Sequence, residues 1–347
     1  MNRSCECCKD RVLNYREFEN DKTIKYYQWC TTVEKYMSKG QEKKKVVSKK
    51  VQLQDLPLNV IKKLEDSIPA YFAHCNNVIR QYNTIKMLKS TLSLAEAVIH
   101  VDFSENYSLK YNEEIQSVHF GGSCSQITLH TSVIYLLDPE LGTHKTQSYC
   151  TLSECNRHDA AAIWAHLIPL IEYILDISPM LDGLHFISDS PSSQYRNKHM
   201  FYAISQLYRD FPQIKTVTWN YLEAGHGKGA PDGVGATLKR TADQIVAFGS
   251  DIATFDDFVK AIKTRIKNIK INIVTEAEIL TRTFPIEIKS FKGTMSVHQV
   301  LWSAGCPRMY FRELSCIICS NDTICRHGYH IGCLDTPCMA DRKSTKR

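Results

Sequence analysis

The order of apolar segments predicts an α/β protein built on a mixed sheet with helices on both faces. Two observations carry that expectation. Between Ala95 and Leu152 the chain reads as strands in antiparallel succession, runs rich in Val, Ile and Thr separated by turn residues. From His158 to Phe248 it alternates helix and strand, an order that produces parallel pairing through crossover connections. A third observation sets the scale. The chain has 347 residues, 43% hydrophobic and 23% charged, enough for one large or two ordinary domains and unlike a disordered chain.

The elements come in this order. Residues 1–50 are polar and cysteine-flecked and end in the basic run KGQEKKKVVSKK. That run reads first as a solvated linker, with phosphate contact or nuclear import as alternatives. The Tyr26–Tyr27 pair and Trp29 suggest that part of the segment packs. Residues 56–93 have apolar positions at helical spacing, with a break expected near Pro69. AEAVIHVDFS is a strand. IQSVHFGG and SQITLHTSVIYLLD are two more, joined by a turn at Gly121–Gly122, and KTQSYCTL is a further edge strand. Then come a helix at His158–Ile177, the strand GLHFISD, a helix at Gln194–Asp210, the strand KTVTWNYLEA and a helix at Asp232–Phe248.

Composition removes several function classes. Fourteen cysteines without an apolar leader in MNRSCECCKD point to reduced thiols in the cytosol or nucleus, not to a secreted disulfide scaffold. The most apolar run, Ala160–Ile177, holds His166, Pro169, Glu172 and Asp176. It therefore reads as a buried helix, and no membrane partner is expected. The net charge of +6 permits nucleic acid without demanding it. No nucleophile elbow accompanies a Ser, His and Asp, and nothing marks Cys150 or Cys155, near His158, as an activated thiol. His119, His130 and His166 read as packing residues.

Three acids stand out. Asp102 ends the first strand of the α/β region, Asp189 ends GLHFISD, and Asp232 opens the helix after GHGKGAP. In an open α/β sheet, groups at the carboxyl ends of neighbouring strands converge on one crevice. Clustered carboxylates repel, so such a site calls for cations. Hard oxygen donors suit Mg²⁺ or Mn²⁺, and a pair of such ions would drive phosphodiester displacement. Each aspartate alone reads more readily as a turn former or helix cap, and it is their joint placement in this strand order that points to chemistry. Glu105 is a candidate additional ligand or a solvated loop acid.

The three acid-bearing stretches also carry a resemblance. VDFSENY, ISDSPSSQYRNK and GHGKGAPDGVGATLKRTAD resemble blocks of transposon-derived proteins whose catalytic domain has the ribonuclease H-like fold of transposases and retroviral integrases. It extends over about 150 residues, Ala95 to Phe248. It implies a metal-dependent DNA-cleaving and strand-joining enzyme with Asp102, Asp189 and Asp232 holding two Mg²⁺ or Mn²⁺ ions. Many relatives have a glutamate inside the last helix as the third acid. Here Asp232 is preferred, with Glu223 as the alternative and Asp243 more distant. The same resemblance implies DNA as partner, nuclear residence and a possible homo-oligomer.

Other residues fall around this site. Glycines in GHGKGAPDG allow close backbone approach, and His226 and Lys228 are placed to touch phosphate or shuttle a proton, a plain flexible turn being the rival reading. Gln194, Tyr195, Arg196 and Lys198 are expected at the start of the following helix. Arg196 and Lys198 would meet phosphate and Tyr195 would stack on a base, unless they form an ordinary surface face. Lys239 and Arg240 are further DNA-contacting candidates.

The C-terminal stretch CIICSNDTICRHGYHIGCLDTPC combines five cysteines with two histidines. Thiolate and imidazole donors at this density favour tetrahedral Zn²⁺. The expected set is Cys316, Cys319, His330 and Cys333, with Cys325 as a substitute and His327 close by. CRHGYHIGC resembles the middle of a RING-type finger. The short gap from Cys319 to Cys325 and the lone Cys338 speak against a two-zinc cross-brace. CECC at Cys5–Cys8 reads as a remnant of another zinc site. The expected organisation is a helical region at 1–94, the ribonuclease H-like domain at 95–250, an α/β extension at 251–312 and a zinc-binding tail at 313–347. The competing functional readings are a catalytically silent DNA-binding or chromatin-associated protein and a zinc-dependent protein-interaction module.

Overall fold

The computed structural model describes residues 14–38, 40–113, 125–319, 325 and 327–336. IQSVHFGG with its Gly121–Gly122 turn, His119, the Cys5–Cys8 group and Cys338 lie outside these residues. The chain divides into two compact units, Met1–Asn76 and Asn77–Arg347.

In the first unit, β1 (Ile24–Ser38) and β2 (Gln41–Asp55) form an antiparallel ribbon. Pairing runs without a bulge from Ile24 opposite Asp55 to Ser38 opposite Gln41. The basic run expected as a linker is therefore strand β2, and the N-terminal region is not wholly helical. Val46, Val47, Val51 and Leu53 among the lysines supply strand-forming side chains, a signal hidden beneath the charge. Gly40, at φ 74°, takes the left-handed conformation that the tight connection requires. Helix α1 (Pro57–Ser90) comes next, and the boundary between the units falls within it. The Asp55 carboxylate accepts from Leu56 N at 2.9 Å and from Lys63 Nζ at 2.7 Å. Pro69 lies inside α1 without ending it, so the expected break is reduced to one missing ladder bond.

The second unit is built on one nine-stranded mixed sheet. The strands are β3 (Glu96–Ser108), β4 (Gln126–Leu137), β5 (His144–Ser153), β6 (Gly183–Ser188), β7 (Thr216–Tyr221), β8 (Ile269–Ile273), β9 (Gln299–Ser303), β10 (Arg308–Arg312) and β11 (His330–Asp335). Their spatial order is β11-β10-β9-β7-β6-β3-β4-β5-β8. β3, β4 and β5 pair antiparallel, while β3–β6 and β6–β7 are parallel. β5 is interior rather than an edge, because β8 pairs parallel to it; its buried Tyr149, Cys150 and Leu152 match that two-sided cover. The stretch expected as a separate tail contributes β11, which pairs antiparallel with β10.

Helices cover both faces. Helices α2 (Ala160–Ile177) and α3 (Lys198–Asp210) bury Ile163, Leu167, Phe201 and Ile204 in one core with Ile99, Phe186 and Trp219 of the sheet. Helices α4 (Ala230–Ala247) and α5 (Phe255–Arg265) bury Leu238, Phe258 and Ile262 in another, with Leu129 and Leu152. A short helix α6 (Glu276–Thr281) comes after β8. The end of α1 adds Ile85 and Leu88 over Val98 and Ile187. Strand alternation accounts for the division, since Val98 faces one layer and Ala97, Ile99 and Val101 face the other. Asp159 caps α2 by accepting from Ala161 N and Ala162 N, each at 3.1 Å. By length and composition α2 could cross a membrane, but most of it is buried inside the protein.

A bulge reorients the end of β3. Ser104 pairs with Leu129, but the next pair is Tyr107 with Ile127. One extra residue on β3 flips the alternation there and turns Tyr107 into the core under α4 and α5.

Trp219 is fully buried, stacked on Phe186 with ring centroids 4.6 Å apart, and its Nε1 donates to Ser188 Oγ at 2.9 Å. Trp219→Ala is expected to cost about 3–5 kcal/mol in denaturant unfolding. Trp219→Phe should cost less but leave the buried Ser188 hydroxyl without its donor.

Candidate functional site

The parallel pairing of β3 with β6 sets Ile99 opposite Phe186 and His100 opposite Ile187. Two residues further along this register, Asp102 is level with Asp189. Asp102 does not end its strand as expected: β3 continues past it to Ser108 beyond the bulge, and Asp102 lies opposite Thr131, whose hydroxyl donates to the Asp102 carbonyl at 3.1 Å. Asp189 directly succeeds β6, and Asp232 lies in the first turn of α4.

The charges register on one another. Burial pushes the Asp102 carboxyl up to about 7, and the charges of Asp189 and Asp232 act in the same direction. Burial, then Asp232, pushes Asp189 up to about 6. Three acids from distant parts of the chain thus form one electrostatic cluster. Asp189 Oδ1 is buried and has no hydrogen-bond donor among the described residues. Asp232 also serves the helix, since its Oδ2 accepts from Gly229 N at 2.7 Å in a capping box. Capping and charge clustering therefore coexist in one side chain.

Backbone approach brings the pieces together. A Cβ on Gly227 would lie 2.6 Å from Asp189 Cβ, so a side chain there would push the GHGKG loop off the acid. A Cβ on Gly235 would overlap the Ser104 hydroxyl, so this glycine lets α4 lie against β3, two residues past Asp102.

Around the cluster, the sequence-derived candidates separate. Glu223 is held elsewhere: its Oε2 pairs with His298 Nε2 at 3.0 Å. Asp243 pairs with Lys110 at 2.5 Å. Neither charge is among those acting on Asp102 or Asp189, whereas Asp232 acts on both. Glu105 is exposed beside the bulge, and its carbonyl accepts from Lys239 Nζ at 3.2 Å. Lys228, His226 and Arg240 are exposed.

Two expectations are corrected. Tyr195 is fully buried and offers no face to a base. Its hydroxyl lies 3.1 Å from His130 Nε2, and its carbonyl accepts from the Tyr221 hydroxyl at 2.9 Å. Arg196 is buried as well: its Nη1 donates to the Val297 carbonyl at 3.2 Å, which takes it away from phosphate. The reason for both is that residues 192–195 form turns and helix α3 begins only at Lys198, capped by Asn197. Gln194 and Lys198 stay half-exposed. His130 and His166 are buried, their rings stacked at 5.4 Å. His100 was not singled out from the sequence. It shares the Asp102 face of β3, and burial holds its imidazole down to about 4. The alternation from His100 to Asp102 was the available signal.

The thiolate cluster differs from expectation in its members. Ligand atoms of Cys316, Cys319, Cys325 and His327 all lie within 4.8 Å of one another, a donor set that can hold zinc. Cys319 Sγ lies 3.2 Å from His327 Nδ1, and Gly328 N donates to Cys325 Sγ at 3.1 Å. His330 and Cys333 are outside the set because they are committed to β11, where Cys333 pairs with Tyr310 and His330 with Arg312. The loop is anchored from several directions. Arg312 donates to the carbonyl of Cys316 at 3.0 Å, Arg80 donates to that of His327, and Ser315 N donates to Gln81 Oε1 at 2.8 Å.

Both acids have folded-state values above the ordinary 3.8. Their contribution to stability is therefore fully present below about pH 4 and lost as pH rises through 6 to 7. Without divalent cations, Asp102→Asn should raise Tm at pH 8 by roughly 2–4 °C and leave it nearly unchanged at pH 4; calorimetric scans at both values check the sign. For the thiolates, metal analysis should find one zinc per chain. It should be lost in Cys325→Ser and retained in His330→Ala.

No curated protein matches the chain, and no solved structure matches it. A family model does match, over residues 81–305, a span that contains all three clustered aspartates and ends short of the thiolates. The chain therefore belongs to the family described as Domain of unknown function (DUF8701).

Proposed function

We propose that this protein is a metal-dependent enzyme of the transposase class that cuts or transfers DNA strands, with a ribonuclease H-like catalytic domain. The carrying observation is the convergence of Asp102, Asp189 and Asp232, whose charges act on one another from a strand, a strand end and a helix start. The strand order β5-β4-β3-β6-β7, antiparallel then parallel, with α4 after it, supports the fold part of this reading.

The donor chemistry fits Mg²⁺ or Mn²⁺. Carboxylate oxygens are hard ligands, and the undonated Asp189 Oδ1 is what a cation would satisfy. Asp102 and Asp189 would hold the ions, with Asp232 contributing through the oxygen its cap leaves free. Bound there, such ions supply charge neutralisation at the phosphate and activation of an attacking water or hydroxyl. The remaining work falls to side chains. Lys228, Lys239 and Arg240, on the loop and helix beside Asp232, would track the phosphate backbone. Lys239 is steadied by the Glu105 carbonyl. His226 and Lys198 extend the same surface. DNA as substrate implies work in the nucleus, and a homo-oligomer would suit joining two ends. Zinc in this scheme is structural, holding the loop before β11 to its neighbours.

Calorimetric titration with Mg²⁺ and Mn²⁺ tests the reading. Wild type should bind, and Asp102→Asn and Asp189→Asn should each abolish the signal while keeping the zinc. Nicking of a supercoiled plasmid should disappear in the same variants. Binding that is absent, or indifferent to both substitutions, would sink the proposal.

A further inference from the structure

We propose that one face of the β1–β2 ribbon binds single-stranded nucleic acid. The register, in which Trp29 lies opposite Lys50 and Val33 opposite Val46, together with strand alternation, defines that face. It carries Tyr27, Trp29, Val33 and Met37 from β1 and Val46 from β2, interleaved with Lys25, Lys35, Lys44 and Lys50. Every residue on it is exposed, Trp29 at 70%. The opposite face is more covered: Tyr26, Cys30, Val47, Val51 and Leu53 are half-buried, and the Tyr26 hydroxyl accepts from Lys63 Nζ at 2.9 Å.

An apolar stripe this exposed on a two-stranded ribbon calls for an occupant, and its charge selects which one. Four lysines face a single acid, Glu42, which pairs with Lys35 at 2.8 Å. Two copies stacked on this face would set lysines against lysines, so a second copy of the chain fits poorly. A polyanion fits. Tyr27 and Trp29 stand roughly 6.6 Å apart along the strand, two platforms for separate bases, and Lys50 Nζ lies 5.2 Å from the Tyr27 ring centroid. Rings flanked by cations are the means by which proteins grip unpaired strands. A duplex hides its base faces within its own stack, which directs the choice to single strands. The inference is independent of the carboxylate cluster, because these residues belong to the other compact unit.

Fluorescence anisotropy of a labelled oligothymidylate, titrated with the full chain, tests it. Trp29 is the useful reporter, since Trp164, Trp219 and Trp302 are buried. Binding should quench its emission. Trp29→Ala should weaken binding ~10-fold, and Trp29→Phe should restore most of it. The double variant Lys44→Gln, Lys50→Gln should lower the slope of log affinity against log salt by roughly 1.4. The Trp29 and lysine variants should give the same Mg²⁺ titration as wild type, which separates this outcome from the fate of the catalytic reading. Circular dichroism of each variant excludes misfolding as the cause. The proposal is overturned by no association, by equal or tighter binding of a duplex, or by binding that these substitutions leave unchanged. Sedimentation showing a dimer that Trp29→Ala dissolves would overturn it in favour of a second copy.

Discussion

The parallel pairing of β3 with β6 is the constraint on which the second unit turns. Residues more than eighty positions apart meet there, Glu96 opposite Gly183 through His100 opposite Ile187. That pairing makes Asp102 and Asp189 neighbours. It also creates an electrostatic cost, because two half-buried carboxylates cannot both ionise cheaply at close range. The opposition comes from apolar packing on both faces. Ile99 and Val101 lie beneath α2 and α3, while Val98 lies under the end of α1. Packing thus opposes the repulsion that raises these carboxyl pKa values, which marks the acids as a candidate functional site.

How much of this was legible in the sequence depended on whether one periodicity dominated a segment. β3, β4, β6 and β7 were readable because their apolar runs are continuous or strictly alternating. The ribbon was not, because in KKKVVSKK the charge masked the β-branched pair. β8 through β11 are short, and their pairing is fixed by tertiary contact rather than by local pattern. At the site, Asp189 was legible because it directly succeeds an apolar strand, whereas Asp102, read as a strand end, lies inside a strand that continues to Ser108. Tyr195 and Arg196 were misread, since a polar motif after a strand suggests a surface helix while here it closes the core under Trp219 and Tyr221. The thiolate cluster was half legible. Density of Cys and His marked a stretch that could hold a metal, but spacing could not tell His327 from His330. That choice is made by β11, whose ladder claims His330 and Cys333.

The thiolate loop is bound into the sheet by a chain of buried polar groups. Arg312 Nη1 donates to Gln299 Oε1 at 3.1 Å, and Gln299 Nε2 donates to Asn220 Oδ1 at 3.0 Å. Asn220 Nδ2 in turn donates to Thr218 Oγ1 at 3.0 Å, which lies 2.9 Å from His185 Nδ1. His185 Nε2 meets Glu96 at 3.3 Å, holding that carboxyl down to about 2. These residues come from β10, β9, β7, β6 and β3, so the track crosses the sheet strand by strand on one face. A polar face of this kind cannot be covered by apolar side chains without leaving donors and acceptors unpaired. At the β9–β10 end the loop from Leu314 to Cys319 meets it with backbone groups, as the bonds from Gln299 and Arg312 to the Cys316 carbonyl show, while Glu96, His185 and Thr218 line a cavity beside Cys316 and Cys319.

The two donor sets are chemically distinct. Oxygen-only acids select hard cations, and a Cys₃His set selects zinc. On the proposed reading, a cation serving the carboxylates would exchange with solvent and substrate, and weak oxygen ligation would suit it. A zinc held by the thiolates would pin the loop and would need to stay; thiolate ligation would give that permanence, and Gly328 N donating to Cys325 Sγ would support it, as outer partners of metal ligands generally do. On the proposed reading, the carboxylates do the chemistry and the thiolates keep the sheet that positions them closed.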